Sequence, residues 1–197
     1  MTGSTRIRFA DPDRDAAQIA GIYRPAVDHS AVSFEEVAPG AREMAQRIRD
    51  TLQRTPWLVA EGDEPDGVFG YAYAASHRER PGYRWSVDVS AYVRADRRGR
   101  RVGRALYEVL FPVLRRQGFV NVYAGIALPN SASVALHEAI GLRRIGVYER
   151  VGYKLGAWHD VAWYGMRLSE PALPPDEPTP LPELPPQGSG LGGVLCP

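Results

Sequence analysis

The amino-acid sequence predicts an α+β domain built around one sheet, and two observations support this prediction. Segments with the two-residue alternation of a strand are interleaved with segments that have the 3.6-residue period of an amphipathic helix. The 197 residues are 44% hydrophobic and 24% charged, which is ordinary for a globular protein. A chain of this length can bury one substantial core, so we expect a single folded domain.

The amino-terminal half of the chain carries clear helix-start and turn signals. Asp11-Pro12 provides an N-cap followed by a proline at the first helical position. In a second predicted helix, Met44, Ile48 and Leu52 share one face. The predicted elements are a strand, two helices and the two strands of an antiparallel hairpin: residues 6–9, 11–29, 41–52, 57–61 and 68–75.

The carboxy-terminal half continues the mixture of strands and helices. Residues 85–93 alternate with period two, as in a strand with one buried face. Residues 102–118 form an amphipathic helix that ends at Gly118, and Pro112 should kink or locally weaken it. The remaining predicted elements are a strand, a helix and two further strands: residues 120–126, 130–140, 144–150 and 161–166.

The composition changes sharply near the end of the chain. Nine of the 17 prolines follow Met166, in a segment that is also rich in glycine. Such a composition cannot bury a core and favours extended or disordered chain. We therefore predict a folded domain over residues 1–168 and a disordered tail over residues 169–197, with a proline-rich ligand for a partner as the alternative for this tail.

Charge and cysteine content exclude several classes of function. The formal net charge is +1, from 24 Lys and Arg against 23 Asp and Glu, so no general attraction to nucleic acid or to a membrane is expected. Cys196 is the single cysteine, which excludes a disulfide within one copy and a Cys/His metal cluster. No apolar run resembles a signal peptide or a membrane span, and the expected compartment is the cytoplasm.

The segment with the strongest functional signal is DRRGRRVGRALY, residues 96–107, which follows a predicted strand and opens a predicted helix. Unpaired backbone N–H groups at a helix N-terminus, together with nearby arginines, are suited to binding a diphosphate. The glycine spacing does not fit a Rossmann fingerprint, and no Gly-Lys-Ser/Thr follows as in a P-loop. A solvated basic turn is the alternative.

This segment resembles the diphosphate loop of GNAT-type N-acetyltransferases. Arg98 and Gly103 match the two ends of that loop pattern, whereas Arg101 stands where the family has its first glycine. The segments SAVSFEEVAPG, PWLVAE, YRWSVDVSAYV, RRQGFVNVYAGIALPNSASVALHEAIGL and GYKLGAWHDVAWY extend the likeness to phosphinothricin N-acetyltransferases, over roughly residues 6–168. The resemblance implies a sheet with splayed central strands, acetyl-CoA as the acetyl donor, an α-amino group as the acceptor, and a homodimer.

Three residues are candidates for catalysis. Asp88 lies on the strand face that also carries Ser90 and Tyr92, and we predict that it is the general base. The family has glutamate at this position, so the shorter aspartate would act through a water. The resemblance also implies a catalytic role for His137, which could pass a proton onward or hold a water with Asp88, and Tyr107 is a candidate proton donor to the departing thiolate. A structural role is the alternative for each of the three residues.

The resemblance also implies residues that bind the two substrates. A backbone amide near Tyr92 or Val93 is expected to stabilise the developing oxyanion. The remaining residues expected to bind acetyl-CoA are Arg98, Arg100, Arg101, Val102, Gly103, Arg104, Asn130 and Ser133. Those expected to contact the amino-acid acceptor, some of them across a dimer interface, are Phe34, Arg78, Arg80, Tyr83, Ser90 and His159.

Two other functions stay open from the sequence. One is acetylation of a different amine, although Arg78 and Arg80 disfavour cationic acceptors. The other is a non-catalytic acyl-CoA-binding domain, which the unusual residues Asp88 and Arg101 keep in consideration.

Overall fold

The computed structural model describes residues 5–63 and 67–185. Its centre is a seven-stranded sheet in the order β1-β2-β3-β4-β5-β7-β6, in which β4 and β5 are parallel and the other neighbouring pairs are antiparallel. The strands are β1 Arg6–Phe9, β2 Trp57–Glu61, β3 Val68–Ser76, β4 Ser86–Val93, β5 Asn121–Ala127, β6 Arg143–Lys154 and β7 Ala157–Arg167. The helices are α1 Pro12–Asp28, α2 Ala41–Leu52, α3 Val102–Gln117 and α4 Ser131–Ala139.

The predicted α+β class and the predicted order of elements are confirmed. The Asp11 side chain accepts hydrogen bonds from the backbone N–H groups of Asp13 and Arg14 and so caps α1, with Pro12 as its first residue. The hairpin of β2 and β3 is antiparallel as predicted, although residues 64–66 of its turn lie outside the described residues.

The last two strands differ from the predicted ones, whereas helix α3 ends at Gly118, with a φ of 90°, as predicted. Helix α3 includes Pro112, and a kink there stays a prediction. Strands β6 and β7 extend to a tight turn at residues 155–156 and are longer than predicted. The extension was missed because the added residues are mostly exposed, so burial imposes no alternating pattern on them.

Helices cover both faces of the sheet, and each side has its own core. On one face α3 packs against inward side chains of the central strands, among them Val87 and Val89 of β4. On the other face α1 and α2 cover β2 and β3, with Ile19 and Ile48 fully buried. Asp88, one residue along β4 from Val87, therefore points to the face on which α1 and α2 lie.

Strands β4 and β5 separate part of the way along their length. Their pairing runs from Ser86 opposite Asn121 to Asp88 opposite Tyr123 and goes no further, although β4 continues to Val93. The splayed central strands that the family resemblance implies are therefore present. Beyond Asp88, no strand of the described residues pairs with the edge of β4 that faces β5.

Part of the predicted tail packs on the domain. The Thr179 N–H donates to the Gln117 carbonyl at 2.7 Å, the Trp85 indole N–H donates to the Asp176 carbonyl at 2.7 Å, and the Leu181 side chain is buried. Backbone hydrogen bonds and one apolar anchor thus hold residues 176–185 against the domain, and disorder of the tail as a whole stays a prediction. The remainder, residues 186–197 with Cys196, lies outside the described residues. A domain boundary at residue 168 stays a prediction.

Candidate functional site

A cleft of about 710 Å³ opens where β4 leaves β5. Its walls are the end of β4, the arginine-rich loop, the first turn of α3, helix α4 and one side of α1. The residues that line it and that the sequence had singled out are Tyr92, Val93, Arg98, Arg101, Val102, Gly103, Arg104, Asn130, Ser133 and His137. The fold thus brings nine of the ten predicted acetyl-CoA-binding residues to one cavity, together with one predicted catalytic residue.

The first turn of α3 is available to an anion. Its N-cap residue, Arg101, makes no side-chain hydrogen bond to the turn, so the leading N–H groups of the helix face the cleft without a side-chain cap. Arg101 has a φ of 63° and Gly99 a φ of 72°, both in the left-handed region. This backbone geometry explains why the family favours glycine here, since a side chain in this region is strained. Arg101 takes up the glycine conformation at that cost.

Gly103 serves helix packing as well as the loop. A Cβ atom placed on Gly103 would lie 2.9 Å from the Leu136 Cδ2 atom of α4. Real Cβ contacts are essentially never that short, so a larger residue here would push the end of the Leu136 side chain aside, whereas glycine needs no such adjustment. Gly103 therefore contributes to the packing of α3 against α4, the helix that carries His137 and forms one wall of the cleft.

The arginines of the loop do not all point the same way. The Arg98 Nε–H donates to the Val93 carbonyl at 3.1 Å, which places its guanidinium beside the end of β4. Arg104 is paired with Glu108 at 2.8 Å. Arg100 is exposed and is not among the residues that line the cleft, so the structure does not support its predicted contact with acetyl-CoA. Arg97, which the sequence predicts only as part of the arginine-rich loop, also lines the cleft, and its guanidinium lies over the Phe69 ring.

His137 is buried on α4 and both of its ring nitrogens have partners. Its Nδ1 lies 2.7 Å from the Ser133 carbonyl oxygen, which only accepts, so Nδ1 carries the proton. The unprotonated Nε2 then accepts from the Tyr107 hydroxyl at 3.1 Å. Burial is the largest influence on the pKa of His137 and lowers it, whereas the hydrogen bond to Ser133 raises it. The imidazole is therefore neutral at neutral pH.

Tyr107 lies in the core, not at the cleft. Its side chain is 0% exposed, and burial raises the pKa of its hydroxyl above the usual value. The hydroxyl points to His137, which separates it from the cavity. Direct donation from Tyr107 to a thiolate is not supported by this geometry, because any proton from Tyr107 passes first to His137.

Asp88 is half-buried on the opposite face of the sheet from His137, and its neighbour is a residue that the sequence had not singled out. Its Oδ1 lies 2.6 Å from Nδ1 of His77, at the end of β3. Burial is the largest influence on the Asp88 pKa and raises it, while the hydrogen bond from His77 lowers it. The predicted base is thus part of a carboxylate–imidazole pair.

The predicted acceptor-binding loop begins at this pair. The Arg78 guanidinium lies 5.8 Å from the centre of the Trp163 ring, and its NH1 donates to the His77 carbonyl at 3.0 Å. Arg80 precedes a single helical turn that ends at Tyr83, whose ring is centred 6.0 Å from that of His77. Arg78, Arg80 and Tyr83 are all exposed in the single chain.

Three other residues were predicted to contact the acceptor. Phe34 and His159 lie together beside the β6–β7 hairpin, and Ser90 lies apart from them on β4. The Phe34 ring is centred 6.2 Å from the His159 ring and packs on Gly152, where a Cβ atom would lie 2.3 Å from it. The loop that carries Phe34 is held by buried Lys154, whose Nζ donates to the carbonyls of Val27, Ser33 and Glu35. Ser90 lies on β4 opposite Tyr73 and does not join this group.

Some residues of the site had no usable signal in the sequence. Ile22, Pro25 and Ala26 of α1 form one wall of the cleft, but helical periodicity marks them as ordinary surface and core positions. His77 would have been found only from the register of β3 and β4, which places it on the same face as Asp88.

The described residues hold no group of three or more His, Cys, Asp or Glu side chains that could bind a metal ion. Across residues 5–63 and 67–185, no helix is both long and apolar enough to span a membrane.

Comparison with known proteins places this geometry in a family. Residues 7–163 match the model described as acetyltransferase (GNAT) domain. The chain is 36% identical over 160 residues to the phosphinothricin N-acetyltransferase of Streptomyces viridochromogenes, covering 81% of this chain and 86% of that protein. It is 33% identical over 177 residues to the L-methionine sulfoximine/L-methionine sulfone acetyltransferase of Salmonella typhimurium, covering 85% of this chain and 97% of that protein.

A solved structure gives the same result at the level of the fold. The phosphinothricin acetyltransferase from Sinorhizobium meliloti, in complex with acetyl-CoA, matches with a TM-score of 0.80 and 34% identity, over 91% of this chain and 94% of that chain. The family model, the relatives and the parted strands β4 and β5 agree, and the chain therefore belongs to the GNAT acetyltransferase family.

Proposed function

We propose that this enzyme transfers the acetyl group of acetyl-CoA to the α-amino group of phosphinothricin-like amino acids, by direct attack within a ternary complex. Phosphinothricin, methionine sulfoximine and methionine sulfone are the acceptors that we expect. The observation that carries the proposal is the separation of β4 from β5 after Asp88, beside the uncapped N-terminus of α3. The separation brings a diphosphate site, an open strand edge and a carboxylate–imidazole pair to adjacent places. The names of the relatives support the acceptor class.

The cleft fits acetyl-CoA by its chemistry. The leading N–H groups of α3 and the guanidinium groups of Arg98 and Arg101 suit the diphosphate, because helix N-termini and arginines both stabilise phosphate oxygens. The unpaired edge of β4 beyond Asp88 offers backbone groups to the amide-bearing pantetheine arm, with Asn130 and Ser133 on the facing wall. Backbone N–H groups at Tyr92 or Val93 would then stabilise the oxyanion that develops on the thioester oxygen.

The two faces of the sheet would divide the proton transfers between them. We assign removal of the acceptor proton to the Asp88 side, because a half-buried carboxylate there meets the loop that carries Arg78 and Arg80. We assign His137, with Tyr107 behind it, to the thiol side, where a neutral imidazole can pass a proton onward.

Recognition of the acceptor carboxylate and phosphinate would fall to Arg78 and Arg80, since arginine binds such groups in a bidentate manner. Both residues are exposed in one chain, and we propose that a second copy encloses them in a homodimer. The long β6–β7 hairpin supports this proposal with a row of exposed apolar side chains: Ile145, Tyr148, Val151, Tyr153, Leu155 and Trp158. We keep the cytoplasm as the expected compartment.

An assay of acetyl-CoA-dependent thiol release across phosphinothricin, methionine sulfoximine and methionine sulfone tests the proposal. We expect saturable turnover with at least one of them, and little with polyamines or aminoglycosides, which Arg78 and Arg80 would repel. Turnover confined to cationic amines would refute the acceptor class. Calorimetric binding of acetyl-CoA without turnover on any amine would instead favour a non-catalytic acyl-CoA-binding domain.

A further inference from the structure

The pair formed by His77 and Asp88 lies at the point where β4 leaves β5. We propose that His77, oriented by Asp88, is the group that takes the proton from the acceptor amine. This inference rests on the proposed function and names the residue that would perform its first proton transfer.

The pairing follows from strand register. Ala75 of β3 lies opposite Asp88 of β4, and the backbone N–H of His77 donates to the Ser86 carbonyl at 3.3 Å. His77 therefore lies two residues beyond the position opposite Asp88, on the same face of the sheet. The distance of 2.6 Å between His77 Nδ1 and Asp88 Oδ1 is that of a charge-assisted hydrogen bond.

This hydrogen bond fixes which nitrogen of His77 can act as a base. A carboxylate oxygen accepts, so Nδ1 carries the proton and Nε2 presents its lone pair. Among the residues that the structure describes, Nε2 has no hydrogen-bond partner. The side chain is 14% exposed, which leaves that nitrogen partly accessible. His137 differs, because both of its nitrogens are engaged within the protein.

Aromatic rings and a few charged groups surround His77. Its ring is centred 4.5 Å from that of Tyr123, the β5 residue opposite Asp88 at the last paired position of the two strands. Tyr83 and Trp163 each lie 6.0 Å away, ring centre to ring centre. The titratable and charged groups around the imidazole are Asp88 from β4, Tyr123 from β5, Tyr83 from the helical turn and Arg78 from its own loop.

The arrangement also accounts for the short aspartate. An aspartate carboxylate reaches one methylene less far than glutamate, and one of its oxygens is already bound to His77. The imidazole extends the reach of the pair by the width of a ring, and the carboxylate stabilises the imidazolium that forms. His77 therefore makes a water bridge from Asp88 unnecessary.

The proton transfer balances without another reactant. The acceptor ammonium gives one proton to His77 Nε2, and the nitrogen lone pair forms a bond to the thioester carbonyl carbon. The carbon–sulfur bond breaks, and sulfur leaves with the electron pair as thiolate. The second proton of the nitrogen reaches the thiolate on the side that we assign to His137, and His77 returns its own proton to solvent, so that amide, thiol and one released proton are the products.

The test is the pH dependence of kcat/KM for the wild-type enzyme, His77→Gln and a matched control, His29→Gln, which changes an exposed histidine after α1. We expect His77→Gln to lower kcat about 100-fold, the usual size of a lost general base, with the KM for acetyl-CoA unchanged. The loss of rate in His77→Gln should be largest at low pH, because without the base only acceptor molecules that are already deprotonated can react. His29→Gln should keep the wild-type profile.

Chemical rescue separates a base from a structural residue. Added imidazole should restore part of the rate to His77→Ala, and it should have no effect on His29→Ala. Wild-type-like pH profiles for both His77 variants, or loss of rate with an unchanged acidic limb and no rescue, would overturn the assignment. Circular dichroism and thermal unfolding establish that the variants are folded.

A measurement without any acceptor distinguishes failure of this inference from failure of the proposed function. Nitrogen-15 NMR of the His77 ring should show Nε2 as the unprotonated nitrogen in the wild type, and a mixture of tautomers in Asp88→Asn. If this tautomer is found and none of the tested amino acids is acetylated, the proposed acceptor class is wrong, whereas the geometry that carries the assignment of His77 is upheld. If Nδ1 is the unprotonated nitrogen, His77 is not the base, whatever the acceptor.

Discussion

Substitution of Arg101 by glycine tests the unusual loop directly. Arg101 adopts a φ of 63° at the N-cap of α3, where its side chain makes no capping hydrogen bond. A non-glycine residue in the left-handed region costs about 1–2 kcal/mol. Glycine removes this strain but loses about 0.5–1 kcal/mol through the greater freedom of the unfolded chain. We therefore expect Arg101→Gly to raise the free energy of unfolding by roughly 0.5–1 kcal/mol.

The matched control is Arg100→Gly, one residue earlier in the same exposed loop. Arg100 is not among the described residues with positive φ, so glycine there brings only the entropic cost and should lower stability by about 0.5–1 kcal/mol. In thermal unfolding the two variants should move in opposite directions, each by about 2 °C for a domain of this size. Equal losses in both would refute the strain at Arg101.

The Arg101→Gly variant also tests how the loop binds acetyl-CoA. The N–H groups of the first turn of α3 remain after Arg101→Gly, although one cation at the cleft is lost. We expect the Kd for acetyl-CoA to rise by less than about tenfold, since Arg101 is exposed and an exposed ion pair contributes about 1 kcal/mol at most. Titration calorimetry of the wild type and the variant measures this Kd. A larger loss would mean that the Arg101 side chain, and not the backbone, is the main holder of the diphosphate.

Three further predictions concern other parts of the molecule. Tyr107→Phe leaves the buried Nε2 of His137 without its donor, and urea unfolding should show a loss of about 1–3 kcal/mol together with a lower kcat. The hydrogen bond from Arg8 lowers the Glu61 pKa below 4.5, so the stability from this pair is complete above that pH and is lost as the pH falls through the lowered value. The urea midpoint should therefore fall with acid more steeply in the wild type than in Glu61→Gln, and equal slopes would contradict this. Trp158→Glu places a charge on the apolar hairpin surface and should shift the molecular mass in light scattering from dimer to monomer, whereas a monomeric wild type would refute the dimer.

The fold was predictable where local chemistry decides it. Asp11-Pro12 marked the start of α1, and Gly118 marked the end of α3, because caps act within a few residues of the chain. The far part of the β6–β7 hairpin was not predictable, since its exposed residues carry no alternating burial. Leu181 was missed for a related reason: one buried anchor within a proline-rich segment does not change its composition.

The site was predictable in its backbone more than in its side-chain contacts. The strand–loop–helix order placed the diphosphate segment, and the cleft contains most of the residues expected there. The partner of Asp88 depends on the register of β3 and β4, which residues 77–85 separate in sequence. The hydrogen bond between Tyr107 and His137 could not be predicted either, because it depends on tertiary packing. Helical spacing gives the face of the helix on which Tyr107 lies, but not the partner of its hydroxyl.

Lys154 joins two segments that are far apart in sequence into one mechanical unit. Its ammonium group at the end of β6 donates to three carbonyls of residues 27–35, and Phe34 of that loop packs on Gly152 of the same strand. A change of loop sequence would alter the support of the hairpin, and a change of hairpin would shift the loop. Under our proposal that Phe34 and His159 contact the acceptor, a change of acceptor preference should therefore succeed only when both segments are exchanged together.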